Sequence, residues 1–440
     1  MTAEIVTAQP YQASLEKEAR MRDGNMQAEK KSAIVVGAGV VGVAAAIWLQ
    51  RRGLDVLLID REGPGAGASF GNAGLLASSA VVPVTEPGLP LKMPGMILSP
   101  DEPVFLRWPH LPKAMPFFLH TLRMCTRQKT EEIAAALAGI ISDSLEQHQA
   151  LAEGTGAESF VVPCEYLYAY KNRRDFEASS FGFGLRRKHG FTWRELNDAE
   201  LHRLEAMLAA DMTFGVTFPD HGYIRDPGRY VEVLAAHFTA SGGRIVTAEV
   251  TDIVRENGRV TGVRAGGETL ACDACVLAAG IWSGPLAKSL GMRVPMESER
   301  GYHIEIEAPE ETLKGPVMIA AGQFVATPMT GRIRLAGVVE FGGLEAPPDE
   351  KIFDFIRRVG KAALPHLPWR ESGQWMGHRP APADSIPLIG EFPAARGVYA
   401  AFGHHHLGLT GSAKTGRLVA DLIAGHTPNI DLTPYRPDRT

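Results

Sequence analysis

Residues Ala33–Asp60 read AIVVGAGVVGVAAAIWLQRRGLDVLLID. A β-branched run, IVV, leads into GAGVVG, then an alanine-rich segment to about Arg52, then a second apolar run that ends in Asp60. This order predicts strand, tight turn, helix, strand and a terminal acid, the context in which G-x-G-x-x-G binds a dinucleotide. Gly37 permits the sharp turn, Gly39 lets the backbone approach a pyrophosphate, and Gly42 lets the helix pack closely on the strands. The helix start at Val40 and Val41 offers free amides and the positive end of a dipole. Asp60 is placed to accept hydrogen bonds from ribose hydroxyls, which disfavours a 2′-phosphate.

The next stretch, REGPGAGASFGNAGLL (Arg61–Leu76), identifies the dinucleotide. An NAD domain proceeds directly to another helix, whereas this loop has glycines at positions 63, 65, 67, 71 and 74. Backbone from Arg61 and from Ala68 to Leu75 can wrap the rest of a larger cofactor, with Ser69 and Asn72 supplying side-chain hydrogen bonds. The spaces beside Ala73 and Gly74 suit a flat ring system. The expectation is FAD.

Bulk properties exclude several other classes. A chain of 440 residues exceeds one ordinary core, so two domains are expected. The 45% hydrophobic and 22% charged fractions are those of a globular protein. A net charge of −5 gives no reason to expect a nucleic-acid partner. Four cysteines form no disulfide framework, which suits a reducing, cytoplasmic compartment. Cys272 and Cys275 lie in LACDACVLAAG, read here as one strand that would turn them to opposite faces as small buried residues. Residues 1–32 read as a poorly ordered polar tail, and no run reaches a comfortable membrane span.

Further along, HGYIRDPGRYVEVLAAHFTASGG predicts a helix capped by Asp226, opened by Pro227 and stopped at Gly242–Gly243. RIVTAEVTDIVRENGRVTGVRA predicts paired strands turning at Asn257–Gly258. Helices are expected near Phe117–Thr126, Glu131–Glu153, DFEASSFGFGLRRKH and DEKIFDFIRRVGKAAL, and a strand at YLYAYKN. The proline-rich passage Pro83–Pro116 reads as a wall over the site, with a membrane-surface element as its alternative.

The fingerprint, together with CVLAAGIWSGPLAKSLG, WMGHRPAPADSIPLIG and AFGHHHLGLTGSAKTGRLVADLIAG, resembles the D-amino acid oxidase superfamily of flavoproteins. Within it the chain is similar to bacterial D-amino acid dehydrogenases, above all the glyphosate oxidoreductase-like branch, through GASFGNAG, ERGYHIEIE and FVATPM. The resemblance runs from about Ala33 to Pro437. It implies an α/β fold in which a Rossmann-type FAD-binding domain (33–92, 225–295 and 377–440) is interleaved with a mixed-sheet substrate domain (93–224 and 296–376). It sets Val250 near the adenine and Ala279, Gly280 and Trp282 against the cofactor. The implied reaction is oxidation of an amino acid C–N bond by hydride transfer from Cα to the flavin, giving an imine that hydrolyses to a 2-oxo acid.

Such chemistry asks the protein mainly for alignment. Arg379, in GHRPAP, is the expected carboxylate anchor, because a guanidinium grips a carboxylate with two parallel hydrogen bonds. Tyr302 and His303 alternate along a strand, so one of them faces the flavin; Tyr302 is the candidate, by its resemblance to a family tyrosine. Arg300 reads as an exposed charge, and His378 as pointing away from Arg379. Three adjacent histidines cannot easily converge on one ion, so no metal is expected. Gly403, His404, His405, Leu407, Gly408, Leu409 and Thr410 read instead as a turn laid against the flavin before a helix whose dipole favours negative charge on the reduced ring. His405 or His406 faces the substrate, while His404 packs structurally. The first histidine is His110 and the last cysteine Cys275, so neither flavin segment holds a group expected to link FAD covalently.

Alternatives remain at this stage. One is an N-alkylglycine oxidoreductase acting on secondary amines of the sarcosine or glyphosate kind. Others are an RNA-associated flavoprotein and a non-catalytic FAD-binding subunit. The electron acceptor, whether dioxygen, a quinone or another carrier, is open, as are homo-oligomerisation and peripheral contact with the inner face of the cell membrane.

Overall fold

The computed structural model describes residues 31–99 and 102–439, so most of the expected N-terminal tail lies outside the described residues. The chain opens with β1 (Ser32–Val36), α1 (Val40–Arg51) and β2 (Asp55–Asp60). Then follow β3 (Leu75–Leu76), β4 (Val104–Leu106), β5 (Val161–Tyr170), α2 (Ser180–Lys188), β6 (Arg194–Leu196) and β7 (Phe214–Ile224). The middle holds α3 (Pro227–Ala240), β8 (Arg244–Thr247), β9 (Val250–Glu256), β10 (Arg259–Ala265), β11 (Glu268–Ala271) and β12 (Ala274–Leu277). Next are β13 (Met296–Glu307), β14 (Val317–Ile319), β15 (Phe324–Met329), β16 (Arg332–Phe341), α4 (Glu350–Ala363) and β17 (Glu371–Pro382). The last elements are β18 (Leu388–Phe392), β19 (Ala395–Phe402) and α5 (Gly408–Ala424).

These strands form two sheets. One runs β11-β10-β19-β12-β1-β2-β8, with β18 on β19 and β9 on β10. Its centre, β19-β12-β1-β2-β8, is parallel, and the inner strands β1, β2 and β12 are apolar runs buried on both faces. On one face α1 and α5 cross closely, because Gly416 of α5 meets the backbone of Ala44 and Ala45, where a Cβ would lie 2.7 Å from the Ala44 carbonyl carbon. Val43, Ile47 and Leu49 of α1 are fully buried there, each contributing about 1.5–3 kcal/mol. This seam fixes the C-terminal histidine turn against the glycine fingerprint.

The second sheet runs β17-β13-β16-β15-β14-β5-β7-β3, with β4 on β16 and β6 on β7. Laid flat, seven strand spacings would separate β17 from β3 by about 33 Å. Yet Gly71 packs on the Trp375 ring of β17, and Leu75, four residues later, pairs with Tyr223 of β7. Four residues span at most about 14 Å, so the sheet curls into a trough with the Arg61–Leu76 loop bridging its mouth. The outer face is covered by α4, whose Ile352, Phe353 and Ile356 pack with Tyr302, Ile304 and Ile306 of β13.

Several expectations are corrected. The chain returns to the first sheet after Pro382 rather than at Gly377, because Gly377–Pro382 still pair with Met296–Gly301. The predicted single strand around the cysteines is two: β11 pairs with β10 while β12 lies between β1 and β19, so the chain must break at Cys272–Asp273. The Asp273 carboxylate secures that break by accepting from the Ser32 amide and hydroxyl at 2.8 and 2.7 Å. The proline passage contains a helix (Leu89–Leu98), and the next helix (Leu111–Met124) keeps Pro116 in its interior. Glu131–Glu153 is split into helices Arg127–Ile141 and Ser144–Ala152, and the stretch after Tyr170 into Arg173–Glu177 and α2. Asp226 caps α3 as expected, accepting from the Arg229 amide at 3.1 Å, and Asn257 and Gly258 turn the β9–β10 hairpin with φ of 50° and 75°. Among the described residues no helix is long and apolar enough to cross a membrane.

Candidate active site

The trough and the C-terminal ends of the parallel strands enclose one cavity of about 810 Å³. That lies in the upper part of the range usual for small-molecule sites, ~300–1,000 Å³. Apart from Gly42, every cofactor and catalytic candidate named from the sequence lines it.

At the nucleotide end, Gly37 has φ +104°, and its Cβ would lie 2.5 Å from the Ala278 carbonyl oxygen, so only glycine makes the turn from β1 into α1 where it passes the end of β12. A Cβ on Gly42 would overlap the Gly37 carbonyl oxygen, which is why that residue packs behind the turn instead of lining the cavity. The α1 N-terminus has no capping side chain of its own; the Val40 amide donates to Ser69 Oγ at 2.9 Å. Asp60 is the hub of this turn: one oxygen accepts from the Ala38 amide at 2.8 Å, the other from Glu62 and Gly63 at 2.8 and 3.0 Å. Three of its roughly four acceptor positions thus knit the loop, leaving about one for a ribose hydroxyl. Val250, Ala279 and Gly280 line the same end, where the Arg61 guanidinium lies 3.8 Å over the Trp282 ring.

Asn72, expected to bond the cofactor, braces its own loop instead. Its amide nitrogen donates to Ser69 O at 2.7 Å and its oxygen accepts from the Gly74 amide at 2.7 Å. Two residues unforeseen from the sequence tie this loop to the trough. Buried Arg334, paired with Glu305, donates to the Phe70 and Asn72 carbonyls at 3.0 and 2.7 Å, and His303 Nδ1 lies 2.9 Å from Gly71 O. At the opposite side Thr410 Oγ1 donates to Leu75 O at 3.2 Å, joining the start of α5 to the loop.

The three histidines have separate roles. His404 is buried, with Nε2 2.9 Å from Thr415 Oγ1, and burial lowers its pKa to about 4, so it stays neutral packing. His405 holds φ +53°, unusual for a non-glycine residue, and its Nε2 bonds directly to the Glu299 carboxylate. His406 lines the cavity and is solvent-accessible there, with Nδ1 3.2 Å from His405 Nδ1. Burial, His405 and Arg379 outweigh the attraction of Glu299 and push its pKa down to about 3. Among the described residues no group of three or more His, Cys, Asp or Glu side chains is arranged to hold a metal ion.

Arg379 stands in register with Glu299 across β17 and β13. Its guanidinium lies flat on Gly301, where a Cβ would sit 2.5 Å from Cζ and Nη2, and Nη1 donates to Val338 O at 3.3 Å. Burial pushes the Glu299 carboxyl up, but His405 and Arg379 hold it below the usual carboxylate range. Glu299 was not singled out from the sequence, where it is one of four acids in MESERGYHIEIE. Its one signal is the register with Arg379, which appears only in the folded sheet.

Although Tyr302 borders the cavity, its hydroxyl is engaged elsewhere. The residue alternates with Gly301 and His303, and its hydroxyl donates to Glu340 at 2.5 Å and accepts from the Asp349 amide at 3.3 Å, on the α4 face. Arg300 is fully buried rather than exposed, 2.9 Å from Glu340, because that acid stands opposite it in register on β16. His378 turns to Ser298, with Nδ1 2.8 Å from Oγ, as the alternation predicted.

These features fit FAD. A tight glycine turn meets a helix N-terminus capped only by a borrowed hydroxyl, an acid closes β2, and Gly63, Gly67 and Gly280 face space in which a Cβ would touch nothing. The sequence matches the family described as "DAO: FAD dependent oxidoreductase" over residues 32–422. A D-amino-acid oxidase of Bradyrhizobium diazoefficiens is 39% identical over 418 residues, which cover 93% of this chain and 99% of that one. A D-amino acid dehydrogenase of Paramagnetospirillum magneticum is 28% identical over 420 residues, 92% and 98% of the two chains. Glycine oxidase from Geobacillus kaustophilus shares the fold with a TM-score of 0.71 at 22% identity, covering 93% of this chain and all of that one. The chain belongs to the DAO family of FAD-dependent oxidoreductases.

Proposed function

We propose that the chain oxidises the C–N bond of an amino acid held by its carboxylate, with D-amino acids and cyclic D-imino acids as substrates. The observation that carries this reading is the Arg379 guanidinium, laid on Gly301 inside the cavity beside the Glu299–His405 pair. The 39% identical relative, named as a D-amino-acid oxidase, supports the choice of substrate. When bound, FAD supplies the two-electron acceptor for a hydride from the substrate Cα. Arg379 fixes the carboxylate and so the direction in which the Cα–H bond points, which is the alignment such a reaction needs. The Glu299–His405 pair takes the proton that the substrate ammonium must lose, and neutral His406 adds no charge against that transfer. The imine leaves for hydrolysis to a 2-oxo acid, and the electrons pass on to dioxygen, a quinone or another carrier.

An anaerobic titration of the holoenzyme tests this. D-amino, cyclic and N-methyl amino acids are added in turn while flavin bleaching is followed. D-amino and cyclic acids should bleach the flavin. Bleaching by N-methylglycines alone would transfer the site to secondary amines, and no bleaching by any amine would end the reading. We also propose that FAD is held without a covalent link, so the flavin should remain in the supernatant of acid-precipitated protein.

A further inference from the structure

The wall of the trough away from Arg379 carries a cation that the proposed reaction leaves unused. Three arginines line the cavity. Arg61 pairs with Glu62 at 3.3 Å; Arg379 makes no ion pair but stands in register with Glu299 and feels its charge, whereas among the described residues Arg186 of α2 has no carboxylate within ion-pair distance and none in register. Its Nε donates to Ser79 O at 3.1 Å and Nη2 lies 3.4 Å from the Tyr168 hydroxyl. Its guanidinium carbon is 5.0, 5.5 and 5.8 Å from the ring centres of Phe183, Tyr168 and Phe218. Ser79 is itself fixed, with Oγ 2.8 Å from His221 Nε2. A guanidinium is therefore oriented by a carbonyl, a phenol and three aromatic rings, and left without a counter-charge.

The fully buried arginines are neutralised, Arg300 by Glu340 and Arg334 by Glu305, whereas Arg186 is half-buried in the cavity wall with no such partner. An arginine so placed in a cavity wall is completed by an anion that arrives with the ligand. That anion is not the carboxylate on Arg379. Arg186 is fixed on β5 through Tyr168, and four strands (β14, β15, β16 and β13) lie between β5 and β17. Both guanidiniums line the one cavity from elements four strands apart, an arrangement that a molecule with two separated carboxylates would complete.

We infer that Arg186 is a second anion subsite, which takes the side-chain carboxylate of an acidic amino acid while Arg379 takes the α-carboxylate. This rests on the reading of Arg379 given above and makes D-dicarboxylic amino acids the preferred class. The spacer the pocket favours reports the separation of the two guanidiniums.

Two measurements on the holoenzyme test it. First, kcat/KM is compared for D-aspartate, D-glutamate and D-2-aminoadipate against D-asparagine and D-glutamine. The best acid should exceed its amide by about tenfold or more, the worth of a charge-assisted contact. Arg186→Gln should collapse that ratio and Arg186→Lys restore part of it. A wild-type ratio near one, or a ratio unchanged in Arg186→Gln, overturns the subsite, and the wild-type comparison stands even where a variant fails to fold. Second, malonate, succinate and glutarate are titrated against butyrate by their perturbation of the oxidised flavin spectrum, which needs no turnover. One diacid should bind about tenfold tighter than butyrate, and Arg186→Gln should abolish the difference. Should no amino acid bleach the flavin while a diacid still binds through Arg186, the reaction fails and the subsite stands. Equal binding of diacid and monoacid removes the subsite and leaves the reaction untouched.

Discussion

Replacing Gly301 by alanine tests the carboxylate anchor without touching its charge. The added Cβ would lie 2.5 Å from Arg379 Cζ and Nη2 and 2.8 Å from Nε, against an ordinary contact of about 3.5 Å. Gly301 does not have positive φ and the clash is with the free end of a flexible side chain, so the fold accommodates the methyl by moving the guanidinium about 1 Å. A displacement of that size breaks a two-pronged grip on a carboxylate, costing roughly 1.5–3 kcal/mol, or about 10- to 150-fold in kcat/KM. Steady-state kinetics should place the loss mainly in KM, with FAD content retained and Tm within a few degrees of wild type. Arg379→Met should remove the same energy, and adding Gly301→Ala to it should cost little more, because the two act through one group. Wild-type kcat/KM in Gly301→Ala, or fully additive losses in the double variant, would refute the placement of the anchor.

Other expectations are sharper in sign than in size. Gly42→Ala forces a Cβ onto the Gly37 carbonyl, backbone against backbone, and should cost about 3 kcal/mol or more and yield protein without FAD; a normally loaded variant would contradict this. Tyr302→Phe should leave kcat and KM within about twofold, yet lower stability by about 1–3 kcal/mol as Glu340 loses a donor, so a tenfold fall in kcat/KM would return the phenol to the site. Burial pushes His148, His221 and His404 down to about 4, and burial with Arg334 pushes His303 to about 3. Unfolded imidazoles take up protons below pH about 6.5 and these folded ones only below about 4, so in that window the unfolded chain binds more protons. Stability is therefore lost as the pH falls, by about 2 kcal/mol per histidine at pH 5. The Tm of the holoenzyme should drop by at least about 5 °C between pH 7 and pH 5; a flat profile would show that these rings are not held neutral.

What could be read beforehand follows a physical division. The fingerprint was legible because strand, turn and helix are set by neighbours in sequence, and Gly37 and Gly42 do what their spacing implied. The glycines of the FAD loop were legible for the same reason, although the Ser69 hydroxyl accepts from the Val40 amide and Asn72 and Asp60 spend most of their hydrogen bonds on the loop itself. Misreadings gather in ERGYHIEIE, where the outcome depends on which strands lie alongside. Register with β17 puts Glu299 beside Arg379, and register with β16 buries Arg300 against Glu340. A bulge opposite Tyr302–His303 leaves the tyrosine facing α4 and the histidine facing Trp375. Pairing between distant strands is invisible in a single sequence, and so is the charge balance it creates. Arg334 went unnoticed because an arginine in a strand ordinarily marks the solvent side, and here its partner Glu305 and the loop carbonyls take the place of water.

The crossing of α1 and α5 at Ala44 and Gly416 also sets the order in which this protein can be completed. The fingerprint turn leaves the ribosome about 350 residues before α5, yet β12 is flanked by β1 and by β19, and the fingerprint helix is seated by a helix that ends at Ala424. Contacts separated by more than 350 residues must close before the cradle has its second wall, and such contacts form late. Ribosome-arrested chains that stop short of β19 should therefore retain no FAD, whereas chains long enough to free α5 should capture cofactor and complete folding together. On this account the flavin is acquired only once α5 can dock on α1, and a cell short of FAD would accumulate chains whose two sheets have formed but not yet locked.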